Sequence, residues 1–250
     1  MEMEHPAAPE GVASRAQAGG AGGGASSAIG KYEELCSLGE GSFGAVVKAR
    51  HRLTGEVVAI KRLIPKPDPD SDDGPTPEDE LLWEARLHRH CAGLPFVIGF
   101  HGLLRDPATD GLCLVMECTA ASLHDVLRAH HRRRPGEPLP EPTVKSVMHQ
   151  LLTAAKAMHA RQVVHRDIKP RNVLVGGGED GDHRVLKICD FGLAMSLAEP
   201  PPYGHAGTLR YEAPEMLLQM PEYDAVVDTW SLGCVMAELV AGRPLFTQLY

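Results

Sequence analysis

His165-Arg166-Asp167-Ile168-Lys169-Pro170-Arg171-Asn172 (HRDIKPRN), followed by Asp190-Phe191-Gly192 and then by Ala213-Pro214-Glu215, is the part of the chain that decides the fold. Asp167 is placed to accept a hydroxyl proton or to orient a nucleophile. Five residues on, Asn172 offers an oxygen suited to a hard cation such as Mg²⁺, and Asp190 brings a second such ligand. Lys169 can steady an anionic group between them. Taken singly, Asp190 reads equally well as a turn residue. The order of the three strings carries the weight, because their chance recurrence is negligible.

Upstream, residues 32–38, 45–50 and 57–63 are short strand-like runs separated by turn residues such as Thr54-Gly55, as in antiparallel hairpins. The first two runs flank GEGSFG, residues 39–44. Alone this string fits a glycine-rich hairpin, a dinucleotide-binding turn or a loop lying over phosphates. A dinucleotide site needs a helix directly after the glycines, whereas Ala45-Val46-Val47 continues as strand. Lys61 ends the apolar run Val58-Ala59-Ile60, where an unpaired charge is costly to bury. It needs a phosphate, a carboxylate or both, unless it simply reaches to water. Glu84 is the natural carboxylate, on a helix predicted over 78–91 with Leu81, Leu82 and Leu87 on its apolar side.

Residues 112–117 form a buried strand, and beyond them the pattern changes. Val144, Val147, Met148, Leu151, Leu152, Ala155 and Met158 recur at helical spacing. Short strands at 173–175 and 185–188 flank a turn-rich segment, and 230–240 is a mostly apolar helix whose length suggests burial. A sheet-rich first part and a helix-rich second part imply an α+β chain of two lobes with a cleft between them. Residues 1–30, rich in Gly, Ala, Ser and Pro, read as a disordered tail.

Composition narrows the function classes. Seven acidic residues between Asp68 and Glu80 account for nearly all of the formal charge of −8. No basic footprint of a nucleic-acid binder is present. The six cysteines have no metal-ligand spacing, the thirteen histidines suggest no zinc site, and no run of eighteen apolar residues spans a membrane. An intracellular location, nucleus or cytoplasm, is expected. His130-His131-Arg132-Arg133-Arg134 is taken as a solvated loop between helices rather than a targeting patch. Cys189, in a strand setting, is taken as a small apolar filler.

From Tyr32 to its last residue the chain resembles the eukaryotic protein kinases. The lysine of Asp-Ile-Lys-Pro matches their Ser/Thr branch, and GEGSFGAVVKAR, VKSVMHQLL, VVHRDIKPRNVLV and DTWSLGCVMAELVAGRPLF look like cyclin-dependent-kinase-like enzymes. The resemblance implies a bilobal fold, with an antiparallel-sheet lobe over 31–118 and a helical lobe over 119–250. It also implies transfer of the γ-phosphoryl of ATP, with Mg²⁺, to Ser or Thr of protein substrates. Leu38, Gly39, Glu40, Gly41, Ser42, Phe43 and Gly44 would cover the nucleotide. Val46, Ala59 and Leu174 would sandwich adenine beside Met116, with Glu117 and Thr119 supplying hinge backbone hydrogen bonds. Lys61, paired with Glu84, would position the phosphates. Asp167 and Lys169 would be catalytic, Asn172 and Asp190 would hold Mg²⁺, and Asp228 would brace the catalytic loop.

Several positions depart from that family. Pro77-Glu78-Asp79-Glu80-Leu81-Leu82-Trp83-Glu84 replaces the cyclin-contact helix, which argues against a cyclin and leaves open another regulatory subunit. Tyr203, with Ser196 and Thr208 nearby, stands where relatives carry an activating threonine. His88 occupies a position usually apolar in the family's internal spine, where a polar atom needs a partner or water, and a less stable active arrangement is expected. The family continues past Arg243-Pro244-Leu245-Phe246, so the second lobe is expected to lack its last helices and Glu215 its usual arginine. Those missing helices make a non-catalytic nucleotide- or partner-binding module the alternative function.

Overall fold

The computed structural model describes residues 29–41, 44–63, 75–106, 109–119, 121–177, 184–199, 207–220 and 222–247. Residues 1–28 of the expected tail, Ser42, Phe43 and Tyr203 lie outside them, whereas the last two residues expected in the tail begin a 3-10 turn, Ile29–Lys31.

Strands β1 (Tyr32–Gly41), β2 (Gly44–His51) and β3 (Val57–Arg62) are joined by β4 (Phe100–Arg105) and β5 (Leu112–Glu117) in one antiparallel sheet of order β1-β2-β3-β5-β4. Gly41 pairs with Gly44, so the glycine string is the end of a hairpin and β2 follows it as strand. Gly44 has φ +127°, and a Cβ there would lie 2.0 Å from the Arg62 carbonyl oxygen, so only glycine fits. The run Val58-Ala59-Ile60 is buried on both faces. Val58 and Ile60 pack with Ala49, Leu104, Cys113 and Val115, while Ala59 joins Leu81, Ala85, Leu112, Leu114 and Met116. The second group contains helix α1 (Pro77–His90), which covers that face of the sheet.

Helix α1 begins one residue before the expected start because Thr76 caps it. Asp79 N–H donates to Thr76 Oγ1 at 3.2 Å, and Thr76 N–H to Asp79 Oδ2 at 3.0 Å. Pro77 takes the first helical position, and Glu78, Asp79 and Glu80 meet the positive end of the helix dipole. Part of the acidic run is therefore a helix start.

The second lobe opens with β6 (Ala121–Ser122) and α2 (Leu123–Arg133), capped by Ser122 and Asp125 in the same reciprocal way. The basic patch at 130–134 was expected to be a loop between helices. It is instead the last turn of α2, where cations meet the negative end of the dipole. Helix α3 (Glu141–Ala160) buries Val144, Val147, Leu151, Ala154 and Met158. The strands β7 (Val163–Val164), β8 (Val173–Gly177), β9 (Arg184–Ile188) and β10 (Met195–Ser196) follow, then the short helix α4 (Pro214–Leu217) and α5 (Val226–Ala241).

The main core joins α3 to Leu232, Val235 and Leu239 of α5 and to Val173, Ile188 and Phe191. It extends to Leu87 of α1, and so runs from one lobe into the other. Helix α5 is buried on one face only; Val226, Trp230, Met236 and Val240 are exposed. No helix among the described residues is long and apolar enough to cross a membrane.

Asp228, on the first turn of α5, is fully buried. Its carboxylate accepts the N–H of His165 at 2.9 Å, the N–H of Arg166 at 2.8 Å and His159 Nε2 at 2.7 Å. Asp228→Ala should strand those donors and cost about 3 kcal/mol. A fall in melting temperature of roughly 10 °C is expected by differential scanning calorimetry.

Candidate active site

Lys61, at the inner end of β3, turns into the cleft with 6% of its surface exposed, and Glu84 of α1 meets it with 3% exposed. The Lys61 ammonium donates to Glu84 Oε1 at 2.9 Å and Oε2 at 2.7 Å, and to Asp190 Oδ1 at 3.2 Å. Burial disfavours its charged form, but Asp190 and Glu84 outweigh that and hold the lysine protonated well above its ordinary pKa. Gly192 admits this cluster, since a Cβ there would lie 3.3 Å from Glu84 Oε2 and 3.4 Å from Asp190 Oδ1.

Asp190 sits just past β9 at φ +67°. Crowding by protein would raise its carboxyl pKa, and Lys61 more than offsets this, so the net shift is downward. Its side chain is still 36% exposed, towards the cleft. The Cys189 thiol is buried beside it and pushed strongly upward, which keeps it protonated and unreactive.

The loop 165–172 is held on Asp228 from below. Arg166 takes φ +65°, a strained backbone for arginine, and its Nε donates to Leu193 O at 2.6 Å. Next to it, Asp167 accepts three side-chain hydrogen bonds. Lys169 Nζ donates to its Oδ2 at 2.7 Å, Asn172 Nδ2 to Oδ2 at 2.9 Å, and Thr208 Oγ1 to Oδ1 at 2.6 Å. Asn172 Nδ2 also donates to Asp167 O at 3.0 Å, which turns the amide oxygen away from Asp167. Lys169 reaches Thr208 Oγ1 as well, at 2.6 Å.

Thr208 therefore belongs to the site, where the sequence suggested only a candidate modification hydroxyl. No local spacing relates it to Asp167, 41 residues away. Only the return of the chain past the loop brings them together.

Ala59 of β3 pairs with Met116 of β5, and Val46 of β2 lies opposite Lys61. Val46 packs on the cluster containing Ala59 and Met116. Leu174 is on β8, packed against the main core, and Leu38 of β1 is 47% exposed. At the inter-lobe strand end, Glu117 N–H donates to Gly99 O at 2.9 Å. The Glu117 carboxylate accepts Gly99 N–H at 3.0 Å and Lys187 Nζ at 2.6 Å. The pairing with Lys187, on β9, was not foreseen. Thr119 Oγ1 is buried without a partner among the described residues.

His88, four residues after Glu84, is 2% exposed and does find a partner. Its Nε2 donates to Ile98 O at 2.8 Å, and the carbonyl acceptor fixes the tautomer. The ring stacks on Phe191 with centroids 5.1 Å apart and planes at 6°, and Phe191 in turn packs on His165 at 5.3 Å. The unsatisfied polar atom behind the expected weaker arrangement is thus satisfied. Glu215 is half-buried rather than enclosed.

This geometry coincides with the result of comparison. The model of the protein kinase domain matches residues 32–249, and the chain belongs to that family. It is 45% identical over 223 residues to the putative cyclin-dependent kinase F-2 of Oryza sativa subsp. japonica, covering 86% of this chain and 64% of that protein. It is 38% identical over 229 residues to cyclin-dependent kinase B2-1 of the same plant, covering 90% and 67%. A mitogen-activated protein kinase, Hog1 of Zymoseptoria tritici, is 36% identical over 216 residues, covering 86% and 55%. The chain therefore spans between about half and two thirds of the length of these relatives. Its likeness to them agrees with a Ser/Thr, cyclin-dependent-kinase-like domain.

Burial holds the His88 pKa down to about 4 from 6.5, helped by the charges of His101 and Lys61 and opposed by the bond to Ile98. The unfolded chain takes up this proton below about 6.5, while the folded chain refuses it until about 4, so acid favours unfolding. Chemical denaturation from pH 7 to pH 4 should show His88→Leu losing about 3 kcal/mol less stability than the native chain. A second variant, Thr208→Val, should lower kcat about tenfold in a phosphate-transfer assay, through the lost hydrogen bonds to Asp167 and Lys169.

Proposed function

We propose that the chain transfers the γ-phosphoryl group of ATP, taken as its Mg²⁺ complex, to Ser or Thr hydroxyls of protein substrates. The observation that carries this reading is two neighbouring polar clusters, linked by Asp190, whose carboxylate is bonded to Lys61 and also feels the charge of Lys169. Lys61, Glu84 and Asp190 form one, and Asp167, Lys169, Asn172 and Thr208 the other.

The residues suit the chemistry. Two carboxyl groups face one lysine: burial pushes the Glu84 carboxyl up to about 7, while Lys61 holds Asp190 low and ionised, so Asp190 is the carboxylate suited to a hard cation. Asp190 directs one oxygen at Lys61 and stays partly open to the cleft, while Asn172 has its nitrogen committed and its oxygen spare. When bound, Mg²⁺ neutralises charge on the phosphate oxygens. Lys61, kept protonated, binds phosphate oxygens and is oriented by Glu84. The Asp167 carboxylate, held by Asn172 and Lys169, receives the substrate hydroxyl as hydrogen-bond donor and orients its oxygen toward the phosphorus. Lys169 lies where negative charge builds up during transfer. Most of the rate enhancement then comes from positioning and from electrostatics.

A non-catalytic module is the less favoured reading, because every group named for transfer is present and hydrogen-bonded to a neighbour that orients it. The test is phosphate transfer from radiolabelled ATP to a Ser/Thr peptide library. Asp167→Asn should reduce transfer by about 10³-fold while leaving the ATP-dependent thermal shift intact. Lys61→Met should reduce both. A native chain whose melting temperature responds to Mg²⁺·ATP but which transfers no phosphate would establish the module instead.

A further inference from the structure

The turn carrying Asp190 is tied down at successive carbonyls. Ala194 N–H closes the turn on Phe191 O at 3.0 Å, and Leu193 O accepts Arg166 Nε at 2.6 Å. The next carbonyl, that of the fully buried Ala194, accepts the indole Nε1–H of Trp83 at 2.9 Å. Trp83 is the residue before Glu84 on α1. Its ring packs on the main core and is covered outside by Arg86, whose guanidinium carbon lies 4.2 Å from the ring centroid. Arg86 also pairs with Glu199 at 2.6 Å. Both ends of that ion pair are about half exposed, so it contributes little alone and serves mainly to shield the indole.

Helix α1 is thus fastened on two sides. Glu84 and His88 hold one side, against Lys61 and Ile98. Trp83 holds the other, against the chain that follows Asp190. A rotation or outward swing of α1 that separated Glu84 from Lys61 would also break the indole bond.

We propose that Trp83 is a positioning residue for the Lys61–Glu84 pair: its indole N–H tethers α1 to the Ala194 carbonyl, so that the helix bearing Glu84 and the turn bearing Asp190 move as one unit. This inference rests on the kinase reading of the site. It adds the side chain through which residues 193–199 control that site.

Trp83→Phe keeps an aromatic ring and deletes the donor. It should lower kcat for peptide phosphorylation about tenfold and raise amide hydrogen exchange in α1, with exchange in α3 unchanged. In a Glu84→Gln background the same substitution should cost less than twofold, because the tether no longer has a pair to hold. Arg86→Ala, which leaves the indole bond in place, should cost less than Trp83→Phe. The proposal is overturned by any of three results. These are native kcat and α1 exchange in Trp83→Phe, an equal loss in both Glu84 backgrounds, or faster exchange throughout α3 as well as α1. The exchange measurement reads the tether even in a chain that transfers no phosphate, so failure of the kinase reading and failure of the tether remain separate outcomes.

Discussion

One buried ammonium shared by two carboxylates organises this molecule. Lys61 belongs to the sheet, Glu84 to α1 and Asp190 to the end of β9, so three separate elements converge on one Nζ atom. Each of these charges is expensive to withdraw from water, and only their mutual attraction offsets that cost. The arrangement therefore holds only while all three elements keep their places.

A second buried carboxylate does for the loop 165–172 what Lys61 does for the lobes. Asp228 takes two consecutive backbone N–H groups, and so holds Arg166 in a left-handed conformation that it would not adopt alone. Asp190 is left-handed as well, and Arg166 reaches from one strained segment to the other through Leu193 O. Strain at these two residues is supported by bonds from α5, α1 and the loop itself. The aromatic column of His88, Phe191 and His165 lies alongside, where stacking and one backbone hydrogen bond let a histidine serve in a nearly dry position.

The elements themselves were unevenly legible. Strand 112–117 has the limits read from the sequence, because a continuous apolar run in a central strand leaves little choice of register. Helix α3 was plain from its helical spacing. Strand β4 and helix α2 were not recognised, and both have thin signals. In β4 only Leu104 is buried and a bulge at His101 interrupts the ladder, while α2 buries only Leu123 and Leu127 beneath a run of basic residues. The basic patch looked like a loop because the charges that complement a helix end outnumber the apolar positions that would reveal the helix.

The sequence by itself determined the family, the two-lobed α+β architecture and the groups from which the site is assembled. These follow from short-range chemistry: motif spacing, strand and helix periods, and a glycine where only glycine fits. Tertiary structure alone decided that Thr208 shares Asp167 with Lys169 and that Glu117 binds Lys187. It alone decided that His88 has an acceptor in Ile98 and that Trp83 is bonded to Ala194. Each of these contacts except that of His88 joins residues far apart along the chain. No local pattern encodes such a meeting, because it depends on how packed elements return past one another in space.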